Sequence, residues 1–192
     1  VDEPESQTQR PLTIDLAAGH VLIAGAANSG KTETLLTIAA AAASTYEMSR
    51  VHIYGLDFAG GDLKSLAELP HCGGVASQSA PAEVQWVLRM LRETVQRRLA
   101  EGARASWPHV LVFVDNFGAF YAAIQASEEG PDAADQLLEL LDVGRSVGVS
   151  FVLATEQPAS MRASLMALMS TRIVFELADD EGYAYVGLQR AV

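Results

Sequence analysis

The segment Gly25-Ala26-Ala27-Asn28-Ser29-Gly30-Lys31-Thr32 follows its second glycine with a lysine and a hydroxyl. It meets every fixed position of the pattern G-x-x-x-x-G-K-[ST]. Residues of these types at this spacing can bind phosphate. The glycines let the backbone curl until successive N–H groups face a common centre, an anion-binding nest. A helix beginning at the end of the segment adds the partial positive charge of its N-terminus. Lys31 can then reach the β- and γ-phosphates of a nucleotide, and the Thr32 hydroxyl can ligate Mg²⁺. The nucleotide-contacting set therefore runs from Gly25 to Thr32 and extends to Glu33.

Such a loop works only between a buried strand and a helix. His20 to Ala24 (HVLIA) predicts the strand, and Thr32 to Ser44, with its alanine run, predicts the helix. Further strands are predicted at Leu12 to Leu16, Arg50 to Leu56, Val110 to Val114, Val149 to Ala154 and Ile173 to Leu177. Helices are predicted from about Ser79–Pro81 to Leu99, on the i, i+3, i+4, i+7 spacing of Val84, Val87, Leu88, Leu91 and Val95, and over Asp132 to Val143. Strands alternating with helices imply right-handed crossovers and a mostly parallel α/β sheet flanked by helices. Ser127 to Ala134 predicts an exposed acidic loop.

A second acidic group is needed at the tip of a neighbouring strand. Asp115, directly after VLVFV, fits as the residue that holds Mg²⁺ through water. The next residue is Asn116, where many ATPases of this design place a glutamate that polarises the attacking water. An amide cannot take that proton, and general-base assistance contributes about 10²–10⁴-fold. The expectation is a site that binds nucleotide but turns it over slowly, and Asn116→Glu is expected to raise the rate. Glu156, after the strand at 149–154, is the nearest alternative catalytic carboxylate in chain order.

Other patterns lead nowhere. Gly144-Arg145-Ser146-Val147-Gly148 spells G-x-S-x-G, but a helix precedes it and a strand follows, the reverse of a nucleophile elbow. His71-Cys72 has no second pair at metal-ligand spacing. Arg89, Arg92, Arg97 and Arg98 read as a solvated helix face, and Trp86 and Met90 as packing residues. The chain has 192 residues, 49% of them hydrophobic and 19% charged, with a net charge of −11. That suits one folded domain rather than a disordered chain. The apolar runs fall short of a membrane span, and the acidic start is neither a signal nor a transit peptide. It begins as though cut from a longer protein. Cys72 is the single cysteine, which fits a reducing compartment. The acidic balance works against a broad DNA-binding surface.

In order, these segments resemble the FtsK/SpoIIIE family of motor ATPases, and more narrowly the repeated ATPase modules of the EccC type in type VII secretion. Asp2-Glu3-Pro4 with Gln9-Arg10-Pro11-Leu12 looks like a module lead-in, making 1–11 a linker and 1–192 one module. Asp57-Phe58-Ala59-Gly60-Gly61, Leu69-Pro70-His71, Ala154-Thr155-Glu156-Gln157-Pro158, and Thr171 to Phe175 with Asp179 and Gly187 resemble later family segments. The resemblance implies a RecA-like P-loop core, ATP and Mg²⁺ as ligands, and a place in a multi-module, membrane-anchored bacterial protein with this part in the cytoplasm. It also implies neighbouring modules, possible hexamers, small helical WxG-type secretion substrates, and a trans-acting arginine for which Arg145 and Arg172 are candidates. Asn116 for glutamate and Glu156 for glutamine depart from the translocases, as in downstream EccC modules, and point to the second module. A weakly hydrolysing or non-hydrolysing regulatory or recruiting module is expected; a DNA-translocating motor is the alternative.

Overall fold

The structure is a computed structural model that describes residues 2–3, 8–9, 12–102, 107–127 and 130–189. Pro4, Arg10 and Pro11 of the expected lead-in, and part of the acidic loop expected at 127–134, lie outside the described residues. Near the start, β1 (Asp2–Glu3) pairs antiparallel with β2 (Thr8–Gln9).

The main sheet contains β3 (His20–Ala24), β4 (Val51–Asp57), β5 (Cys72–Ser77), β6 (His109–Asp115), β7 (Val149–Thr155) and β8 (Met169–Val174). Their order is β5-β4-β6-β7-β3-β8, and every ladder is parallel. All the strand C-termini therefore lie along one edge, where ligands of open α/β sheets bind. The central strands β3 and β7 are buried at every position, as continuous apolar runs require when both faces are covered.

Alternate residues divide between two cores. Val21, Ile23, Leu111 and Phe113 pack with Leu35, Ile38, Ala39 and Ala42 of α1 (Lys31–Thr45). Leu22, Ala24, Val112 and Val114 face the other layer, formed by α2 (Pro81–Glu101), α3 (Phe117–Gln125) and α4 (Gly130–Gly144). Two short helices, α5 (Ala163–Ala167) and α6 (Asp180–Tyr185), flank β8 in the chain. The expected α/β layering with a parallel sheet is observed.

Several local expectations are corrected. Residues 12–16 form no strand: Asp15 accepts the Ala17 N–H on its side chain and the Ala18 N–H on its carbonyl, turning the chain there. The last strand lies at Met169–Val174 rather than 173–177, because it is a half-exposed edge strand whose polar residues hide its start. Strand β5 and helix α3 were not expected at all. The helix expected from Asp132 already begins at Gly130. Trp86 is 48% exposed rather than packed.

Arg98 is likewise not on a solvated face. It is 4% exposed, donating to the carbonyls of Val147 (2.8 Å), Gly148 (3.3 Å) and Pro108 (2.8 Å) and lying over the Trp107 ring. It thereby joins α2 to the entries of β6 and β7.

At the same edge His20 is fully buried. Its Nδ1 accepts the Phe151 N–H at 3.0 Å, which leaves Nε2–H to donate to the Leu141 carbonyl at 2.6 Å. Burial, ahead of the opposing Leu141 bond, pushes its pKa below 6.5, and burial lowers that of His109 too. The neutral rings stabilise the fold above pH 6.5, where the unfolded chain is also neutral. That contribution is lost as pH falls from 6.5 toward the depressed folded values. Thermal melts should show Tm falling by about 2–4 °C between pH 7.5 and 5.5, with a smaller fall in His20→Gln; equal falls would exclude His20 as a source.

Candidate nucleotide site

The phosphate-loop segment starts where β3 ends. Gly25 N–H donates to the Thr155 carbonyl at 3.2 Å, and Ala26 N–H donates to the Glu176 carbonyl at 2.7 Å. The loop is thus held from both neighbouring chain segments before it turns. Asn28 (φ 60°) and Gly30 (φ 96°) take the left-handed conformation, which asparagine and glycine tolerate best. A Cβ on Gly25 would lie 2.3 Å from Ser29 Oγ and 2.8 Å from Phe175 Cβ, so this position has no room for a side chain.

Gly30 is the N-cap of α1, and no side chain among the described residues caps it. The first intrahelical bond runs from Thr34 N–H to the Gly30 carbonyl at 2.9 Å. The N–H groups of Lys31, Thr32 and Glu33 are therefore free of helical partners, as at any helix start. Ser29 Oγ is buried and has no hydrogen-bond partner among the described residues.

Lys31 Nζ donates to the Ala26 carbonyl at 2.7 Å and lies 3.5 Å from Glu156 Oε1. Thr32 Oγ1 donates to Asp115 Oδ2 at 2.7 Å, joining α1 to the tip of β6. Asp115 is 3% exposed, and its other oxygen accepts the Asn116 N–H at 3.0 Å. Burial raises its pKa, and nearby Asp57 adds to this; the bonds from Thr32 and Asn116 and the Lys31 charge oppose the rise. Asp57 sits in register beside Asp115 and accepts the N–H groups of Ala59, Gly61 and Leu63, which shapes the turn after β4. This carboxylate holds a loop. The D-F-x-G-G spelling was the only sign of it in the sequence.

Asn116 is committed to structure. At φ 57° it caps α3, its Oδ1 accepting the Ala119 N–H at 3.2 Å, while its Nδ2 donates to the Phe58 carbonyl at 3.2 Å. The expected gain from Asn116→Glu is corrected on this ground: a carboxylate cannot donate to Phe58, and glutamate is strained at positive φ.

The sequence-derived set thus separates. Gly25 to Glu33, Asp115 and Glu156 meet at the C-terminal edge of the sheet. Arg145 is exposed beyond the opposite edge, about 20 Å away by the length of β7. Arg172 donates to the Val186 (3.1 Å) and Met166 (3.2 Å) carbonyls of its own chain. In the rejected G-x-S-x-G stretch, Ser146 donates to the Val143 carbonyl. His71 bonds the Tyr46 carbonyl, burial raises the pKa of the Cys72 thiol, and the described residues hold no metal-ligating cluster of three. A groove of about 760 Å³ lined in part by His52, Tyr54, Met90 and Arg97 shares no residue with the phosphate loop.

Free amides at an uncapped helix start, an ammonium and an unpaired buried hydroxyl suit the phosphates of a nucleotide. The Thr32–Asp115 oxygen pair suits a hard divalent cation. The sequence profile of the FtsK/SpoIIIE family matches residues 1–182. The ESX-4 secretion system protein EccC4 of Mycobacterium tuberculosis is 33% identical over 93% of this chain and 16% of its own length. EssC (ATPases 2 and 3) from Geobacillus thermodenitrificans superposes with a TM-score of 0.83 at 26% identity, over 100% of this chain and 39% of that one. Thermomonospora curvata EccC (ATPases 2 and 3), solved in complex with a signal sequence peptide, gives 0.78 at 28% identity, over 93% and 35%. The chain therefore spans less than half the length of these relatives, and within it the phosphate loop, the parallel sheet and the sequence agree: it belongs to the FtsK/SpoIIIE family.

Proposed function

We propose that this chain is a nucleotide-binding module of a type VII secretion ATPase that hydrolyses ATP slowly or not at all, and that it regulates export or recruits for it. One observation carries the reading. An intact phosphate loop, with Thr32 bonded to Asp115, stands beside an Asn116 whose amide is bonded to Phe58 and Ala119. The loop amides and Lys31 bind the phosphates, and Thr32 and Asp115 orient Mg²⁺, which would neutralise phosphate charge. Asn116 supplies no proton acceptor.

The module works beside other ATPase modules of a longer, membrane-anchored chain, with this part in the cytoplasm, and a hexamer is the assembly proposed. Support for the neighbouring modules comes from the share of each relative that it spans and from the description of two relatives as ATPases 2 and 3. Among the described residues no helix is long and apolar enough to cross a membrane. The Thermomonospora relative was solved with a signal sequence peptide, which supports a secretion substrate as partner; small helical WxG-type proteins are the cargo proposed. For a trans-acting arginine, exposed Arg145 is preferred to Arg172, which must first give up two bonds within its own chain.

Calorimetric titration should show Mg·ATP binding to the wild type and at least tenfold weaker binding to Lys31→Ala; equal affinities would remove the phosphate-loop reading. Wild-type turnover is expected below about 1 per second, the low end for enzymes. Asn116→Glu should leave it low and cost about 2 kcal/mol of stability on chemical denaturation. A brisk wild-type rate would favour the motor reading. So would tight duplex DNA binding with a steep salt dependence, which a net charge of −11 opposes.

A further inference from the structure

We infer that Glu156 sets the nucleotide preference of the site, favouring a diphosphate over a triphosphate. The inference deepens the nucleotide-binding reading and rests on it. Glu156 directly follows Thr155, the last residue of β7, whose carbonyl accepts the Gly25 N–H. The backbone therefore holds Glu156 against the phosphate loop. Its Oε1 lies 3.5 Å from Lys31 Nζ, and its side chain is 54% exposed against 8% for Lys31. The lysine has its loop-side partner in the Ala26 carbonyl at 2.7 Å. Glu156 stands at its solvent side.

A bound nucleotide presents its inner phosphates to the free amides at the start of α1 and its outermost phosphate to Lys31. For a diphosphate, Lys31 can serve the β-phosphate and still remain near Glu156. A triphosphate brings one more anionic group to the ammonium that Glu156 already partly neutralises. Two like charges sharing one ammonium at a partly exposed site repel enough to change affinity about fivefold or more. Exposure and salt reduce the effect.

Replacing Glu156 by glutamine keeps the size of the side chain and removes the charge. Releasing Lys31 from its ion pair and removing the repulsion of the third phosphate both favour the triphosphate, so the ratio of the two affinities reads the whole effect of the Glu156 charge. A carboxylate acting as general base would alter turnover and leave that ratio unchanged.

Calorimetry with Mg·ADP and a Mg-bound non-hydrolysable ATP analogue, on wild type and Glu156→Gln at low and physiological salt, tests the assignment. The wild type should bind the diphosphate at least as tightly as the analogue. Glu156→Gln should shift the ratio about fivefold toward the triphosphate, less at the higher salt. A ratio that changes less than twofold, or moves toward the diphosphate, would overturn the role of Glu156 while the nucleotide reading stands. Failure of the wild type to bind either nucleotide would overturn that reading, and this inference with it.

Discussion

Two backbone hydrogen bonds govern the site: Gly25 N–H to Thr155 and Ala26 N–H to Glu176. They fix the point at which the chain leaves the sheet and begins to curl. The parallel ladders bring Ala24, Thr155 and Val174 level with one another, and Asp57 level with Asp115. Because the strand tips share one edge, residues more than a hundred positions apart meet without any long loop having to be ordered. His20 secures the other end of β3 through Leu141 and Phe151, so the strand that delivers the phosphate loop is pinned at both ends.

The electrostatics at this edge are crowded. Lys31 faces the Ala26 carbonyl and Glu156, and Asp57 and Asp115 are both buried nearby. Each carboxylate has a different task. Asp57 collects three loop amides, Asp115 takes the Thr32 hydroxyl, and Glu156 pairs with the lysine. Desolvation is tolerable for the first two because hydrogen bonds replace the lost water.

Much of this was legible in the sequence, for physical reasons. A phosphate loop is a backbone conformation, and the residues that permit it are few, so Gly25, Gly30, Lys31 and Thr32 announce themselves. Asp115 follows from a five-residue apolar run whose burial leaves little choice of where it ends. The misses are equally physical. Strand β5 contains two glycines and lies at the sheet edge, so it lacks the apolar run that marks a central strand. Helix α3 is apolar nearly throughout and has no polar face to show its period. Arg98 was misread, and the structural role of Asn116 missed, because both depend on carbonyls 49 and 58 residues away, which no local spacing records.

Arg98 has one more consequence. A single guanidinium clasps the carbonyls just before β6 and β7 while its own helix packs on one face of the sheet. Those two strands carry Asp115 and Thr155 at their far tips. A lengthwise push on α2 from an adjoining body would therefore load the feet of both strands together. The helix is anchored at the guanidinium, one strand length from the phosphate edge.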